Sequence, residues 1–237
     1  LPSGPSPPYR GERITVGSRS VDGPVASLAG ERASDTRLVP GVAMTTDTGL
    51  GETTGDLPAS ELGQLTVDRP RLVSALLQCD TPLVCIVAGA GSGKPTLARQ
   101  FDTADDRDFV WLELQRGDDD PVVFIRLLLD GLGCLINVEE AADAAREPHP
   151  RFADKVLPAL ASATSAHRHP IVLVIDEVEL MGSEVAELLC EVLARLPSHF
   201  QTLLLGRSTQ PALRLARRQI EGSLREFRAE DLAFTVE

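Results

Sequence analysis

The chain has 237 residues, 43% of them hydrophobic and 24% charged, which is enough for one sizeable core or one core plus a tail. Its formal net charge of -12 disfavours nonspecific attraction to DNA or to anionic lipid, because both are polyanions. No run of about 18 apolar residues occurs and no charged segment followed by an apolar one opens the chain, so neither a membrane span nor a signal peptide is expected, and the cytoplasm is the expected location.

Residues 1–62 are rich in Pro, Gly, Ser, Thr and Asp and show no sustained period of 2 or 3.6. Such a composition does not bury enough apolar surface to offset chain entropy, so the segment reads as a disordered tail, removable without change in melting temperature. The chain begins at Leu1 and its first methionine is Met44. That pattern fits a fragment, or translated bases upstream of a true start, and leaves the residues before Met44 uninformative about function.

From residue 63 to 237 helices alternate with short apolar strands. Arg69 to Gln78 reads as a helix, with Leu72, Leu76 and Leu77 on one side. Leu83 to Ala88 is a continuous apolar run, as in a strand buried on both faces. Glycines follow, then a helix from Lys94 to Phe101. Phe109 to Leu114 is the second strand. Asp120 and Pro121 supply an N-cap and a first-turn proline for a helix carrying Phe124, Ile125, Leu128 and Leu129. After a Pro-containing loop come a helix from Phe152 to Ala166 and a third strand, Ile171 to Ile175. Val185, Leu188, Leu189, Val192 and Leu193 have helical spacing. A fourth strand at Thr202 to Gly206, a helix from Ala212 to Ile220 and a fifth strand at Leu224 to Phe227 complete the series. This order implies an α/β fold with a parallel, doubly wound sheet. Cys79, Cys85, Cys134 and Cys190 form no CxxC pair and read as reduced core residues. His167 and His169 have no acidic or thiol partner nearby in sequence, so no metal site is expected there.

AGAGSGKPTL, Ala88 to Leu97, lies directly between a buried strand and a helix. That context makes a phosphate loop of it, since backbone N–H groups of the turn and of the helix N-terminus converge on an anion. Gly89, Ala90, Gly91, Ser92, Gly93, Lys94, Pro95 and Thr96 are the candidate binding residues. The glycines let the backbone approach phosphate without a Cβ in the way. Lys94 would reach the β and γ phosphates of a nucleotide such as ATP or ADP. It is one of two lysines, with Lys155, among 23 basic residues otherwise all arginine. Ala88 stands where the first glycine of GxxxxGK[ST] belongs. Pro95 stands where a Ser or Thr would bind Mg2+, and it lacks the backbone N–H as well, so magnesium binding is expected to be weakened. Thr96 keeps a hydroxyl one residue later, turned away by about 100° on a helix.

IVLVIDEVEL, Ile171 to Leu180, is a buried strand ending in two carboxylates. Asp176 at its edge would hold magnesium, directly or through water, and Glu177 would polarise an attacking water. Arg207, after the fourth strand, would reach a γ-phosphate and report its presence.

Taken in order, VDRPRLVSALL, IVAGAGSGKPTLARQF, WLELQRGDDDPVVFIRLLLDGL, IVLVIDEVEL and LLLGRSTQPALRLARRQIEGSLREFRAEDLAFTVE resemble the nucleotide-binding domain of the MalT-like, LuxR-type ATP-dependent transcriptional regulators. These are signal-transduction ATPases with numerous domains. The resemblance runs from about Leu65 to Glu237 and implies a P-loop NTPase fold of the additional-strand type. It further implies exchange of ADP for ATP, self-association of the ATP-bound form, and phosphate, metal, water and γ-phosphate roles for Lys94, Asp176, Glu177 and Arg207. The winged helix, sensor repeats and DNA-binding helix-turn-helix of such regulators lie beyond this sequence, so direct DNA binding by this chain is not expected. An ATP/ADP-binding switch module with slow hydrolysis is the leading expectation. The alternatives are an active AAA-like ATPase driving assembly or remodelling, and a degenerate remnant that binds no nucleotide and serves only as a protein interaction surface.

Overall fold

The computed structural model describes residues 14–17 and 67–233. Its strands are β1 (Ile14–Gly17), β2 (Leu83–Val87), β3 (Asp108–Glu113), β4 (Ile171–Asp176), β5 (Phe200–Gly206) and β6 (Leu224–Arg228), in spatial order β1-β3-β4-β5-β2-β6. The five strands from β2 to β6 are mutually parallel, and β1 runs antiparallel along the outer edge of β3. β5 is inserted between β2, which leads into the glycine loop, and β4, which ends in the acidic pair. That insertion is the additional strand expected from the sequence.

β2 and β4 read as unbroken apolar runs up to the carboxyl edge because helices cover both faces of the sheet. In β4, Ile171, Leu173 and Ile175 enter one core and Val172 and Val174 the other, all fully buried. The first core receives Phe124, Ile125 and Leu128 of α3 (Pro121–Leu132), Ala141 and Ala145 of α4 (Glu139–Arg146), Leu157 and Leu160 of α5 (Leu157–Ala166), and Val185 and Leu189 of α6 (Ser183–Leu193). The second receives Leu72 and Leu76 of α1 (Pro70–Leu77) and Leu97, Ala98 and Phe101 of α2 (Lys94–Ala104). Each large apolar side chain so buried contributes roughly 1.5 to 3 kcal/mol. The start of α3 follows its sequence: Asp120 accepts from the N–H groups of Val122 at 2.7 Å and Val123 at 3.2 Å, and Pro121 opens the helix.

Several elements depart from the sequence reading. α4 falls where a loop was expected, because its buried positions are alanines and its sequence, EEAADAAR, carries no large apolar stripe. The expected helix from Phe152 opens as a π turn over Phe152–Val156, with the Leu157 N–H reaching back to the Phe152 carbonyl. Pro158 follows at once, and its missing N–H leaves no ordinary bond to the preceding turn. The expected helix from Ala212 to Ile220 is divided at Arg214, which takes a left-handed φ of 51° between a 3-10 turn, Pro211–Leu213, and α7 (Leu215–Ile220). α8 (Ala229–Leu232) follows β6. All four cysteines are free, but Cys134 is exposed and not part of the core; burial pushes the Cys85 thiol up to about 12.

The tail expected over 1–62 lies outside the described residues except for 14–17, and those four form β1. A chain starting at Asp56 lacks β1 and leaves the outer backbone groups of β3 without strand partners. Contrary to the composition-based expectation, its melting temperature should fall by roughly 2 to 4 °C for each kcal/mol lost. Calorimetric scans of the two chains check this, and equal melting temperatures would show that β1 adds no stability.

Candidate functional site

The glycine loop joins β2 to α2 at the carboxyl edge of the sheet. Gly91 and Gly93 take left-handed φ values of 73° and 80°, which explains why those two positions carry glycine. A Cβ placed on Gly89 or on Gly91 would meet nothing within 4 Å, so the loop faces open space on that side. Gly93 caps α2, and its carbonyl accepts the Leu97 N–H at 2.9 Å. Lys94, the first helical residue, is buried, and its Nζ donates to the Ala88 carbonyl at 2.8 Å and the Gly89 carbonyl at 3.2 Å. The loop is tied to its neighbour strand by the Ala88 N–H, which donates to the Gly206 carbonyl at 3.1 Å.

Pro95 is exposed in the first turn of α2, where the sequence placed it, and the fold accommodates it without distortion. Thr96 is half-buried on the next position. A second cation braces the loop: Arg69, at the N-cap of α1, donates from Nη2 to the Ser92 carbonyl at 3.0 Å, while its backbone N–H donates to Gln100 Oε1 at 3.1 Å. The sequence reading missed this contact, although the Arg69–Pro70 step already marked the start of a helix.

β4 ends at the acidic pair. Asp176 Oδ1 accepts the Glu177 N–H at 2.8 Å. Burial pushes the Asp176 carboxyl up, the negative charges of Glu113 and Glu179 add to that, and the Glu177 N–H and the positive charge of Lys94 oppose it. Asp176 and the loop that carries Lys94 leave the same edge of the parallel sheet, with β5 between their strands. Glu113, the last residue of β3, is in register with Asp176 and was not singled out in the sequence. Glu177 adopts a left-handed φ of 58°, a conformation that costs a residue with a Cβ about 1 to 2 kcal/mol. Burial pushes the Glu177 carboxyl up, and so do a hydrogen bond shared with Glu179 and the charges of Glu179 and Asp176, against a smaller opposing effect of Arg207.

Glu179 is the member of the site that the sequence reading passed over. Burial alone would raise its carboxyl, but hydrogen bonds from its own N–H, from the Arg207 N–H and from Glu177, together with the charge of Arg207, hold it below the usual range. Arg207 follows β5, with its backbone N–H 3.0 Å from Glu179 Oε2 and its Nε 3.3 Å from Glu179 Oε1. The alternation in EVE, a buried Val178 between Glu177 and Glu179, is the signal that could have found Glu179.

Among the described residues no group of three or more His, Cys, Asp or Glu side chains is disposed to hold a metal ion. Magnesium at Asp176 would therefore rest on that carboxylate, on phosphate and on water. His169 lies at the amino end of β4, with its Nδ1 3.0 Å from Asp108 Oδ2. The open glycine loop, the buried lysine and the adjacent acidic strand end fit a phosphate-bearing ligand, whereas Pro95 does not fit the magnesium partnership of a Ser or Thr.

Strand order, loop and strand-end carboxylates together define a P-loop NTPase-like α/β domain. The chain is 29% identical over 176 residues to the HTH-type transcriptional regulator MalT of Serratia proteamaculans (strain 568), a match covering 73% of this chain and 19% of that protein. It therefore spans about a fifth of the length of the curated relative it matches. No protein-family profile matches the chain. Among solved structures it is similar to a chain of Drosophila ORC bound to DNA (TM-score 0.41, 19% identity, 72% of this chain and 29% of that one). It is also similar to Cdc6p from Pyrobaculum aerophilum (TM-score 0.41, 16% identity, 72% and 45%) and to C. elegans PCH-2 (TM-score 0.37, 15% identity, 71% and 39%). The fold assignment rests on the strand order and not on these overlays. No described helix is long and apolar enough to cross a membrane.

Proposed function

We propose that this domain binds ATP and ADP as a regulatory switch of a larger protein resembling the MalT-like regulators, with slow or impaired hydrolysis. The observation that carries the reading is the placement of a left-handed glycine loop and a buried Lys94 beside the acidic end of β4, with β5 and Arg207 between them in the sheet. In this reading loop N–H groups from Gly89 to Lys94 and the start of α2 hold the phosphates, and Lys94 supplies a charge-assisted contact. Asp176 takes the metal, Glu177 orients and deprotonates a water, and Arg207 contacts the terminal phosphate. Bound ATP would supply the phosphoanhydride; the chain's own groups only position and polarise. Without a hydroxyl or N–H at position 95, magnesium is poorly held, so the nucleotide's identity and not its turnover would be the output. Self-association in the ATP-bound state and a cytoplasmic setting belong to the same proposal, and the MalT similarity supports both. The chain is not proposed to bind DNA directly.

Glu177→Gln separates binding from hydrolysis. The amide fills the same space but cannot accept a proton from water, so nucleotide affinity should be unchanged while phosphate release falls at least roughly tenfold. Single-turnover phosphate release alongside equilibrium titration reads both quantities. Equal release from both proteins would remove Glu177 from the reaction.

A further inference from the structure

The geometry points to Glu179 as the positioning residue for Arg207: its carboxylate holds the guanidinium and the backbone at the end of β5, and a terminal phosphate reaches Arg207 only in competition with it. The inference deepens the nucleotide-switch reading and rests on it for the identity of the competing anion.

Three independent features build this latch. Val178 is fully buried, so the 3-10 turn Val178–Leu180 is anchored in the core and presents Glu179 from a fixed base. Both Glu179 carboxylate oxygens face Arg207, one accepting the backbone N–H at 3.0 Å and the other lying 3.3 Å from Nε. Glu179 is largely covered, with 16% of its side chain exposed, whereas Arg207 is 59% exposed, so the cation is the partner open to an incoming anion. Gly206 is the third feature. A Cβ there would lie 2.6 Å from Val178 Cγ2 and 2.9 Å from Glu179 Oε2, so only glycine lets β5 close on the turn. The ends of β4 and β5 are therefore joined through one carboxylate. The same Gly206 also accepts the Ala88 N–H at the root of the loop.

The consequence concerns discrimination between ATP and ADP. A guanidinium tied to a carboxylate gains less from a new phosphate contact than a free one, because it must exchange one anion for another. Glu179 thus damps the preference for the triphosphate. Glu179→Gln keeps the shape and an acceptor for the Arg207 N–H but removes the charge. In magnesium-free titrations of the full chain, this variant should raise the ratio of ATP to ADP affinity by roughly twofold to fivefold, the range of an exposed ion pair. In the Arg207→Gln background the same substitution should leave the ratio unchanged. An unchanged ratio in Glu179→Gln alone, or an equal rise with Arg207 absent, overturns the proposal. A second measurement needs no nucleotide: solvent exchange of the Arg207 Nε–H, followed by nitrogen-15 NMR, should be slowed in the native chain and faster in Glu179→Gln. Equal exchange in both overturns the latch. If no variant binds either nucleotide, the switch reading fails, and the exchange measurement alone decides whether Glu179 holds Arg207.

Discussion

Lys94→Ala is expected to lower ATP affinity by roughly 30- to 1,000-fold, the equivalent of about 2 to 4 kcal/mol for a charge-assisted phosphate contact. The structure adds a second consequence. Because Lys94 is buried and donates to the carbonyls of Ala88 and Gly89, its removal leaves two loop acceptors without that donor and should also destabilise the domain. The titration is therefore made well below the melting temperature of the variant, beside Lys94→Arg, which keeps a charge. Unchanged affinity in Lys94→Ala would remove the phosphate-loop assignment.

Pro95→Thr is expected to act in the opposite direction, raising affinity for ATP with magnesium by roughly tenfold, about 1.4 kcal/mol for a recovered hydroxyl ligand and backbone donor. Pro95 is exposed in the first turn of α2 and opens no gap in the core, so the gain is chemical and not a repair of the fold. Binding in EDTA should change less. Titrations of both proteins with ATP in magnesium and in EDTA check the difference. If the native chain already binds the magnesium complex as tightly as the variant, then the metal is held without a ligand at position 95.

The parallel sheet was legible because β2 and β4 are continuous apolar runs and β3 and β5 carry shorter ones, Phe109 to Leu112 and Leu203 to Leu205, the mark of strands covered on both faces. What was not legible had little apolar signal of its own. α4 buries only alanines, β1 lies in a polar segment and gains its place through backbone pairing with β3, and Arg214 breaks a helical pattern by a local φ that no residue type announces. The same division runs through the site. Gly91, Gly93 and Lys94 were readable because a glycine loop between strand and helix has few other uses. Glu179 and Arg69 were not, since each acts across the fold: Glu179 reaches the residue after β5, and Arg69 reaches the loop from another helix. A sequence window shows the ends of such contacts and not their meeting.

This loop is expected to bind a nucleotide with little help from magnesium. Isothermal titration of the full chain with ATP and with ADP, each in magnesium and in EDTA, tests it most directly. Saturable binding at one site is expected with both nucleotides, with affinities that differ little between the two buffers. Absence of binding to either nucleotide at millimolar concentration would contradict it.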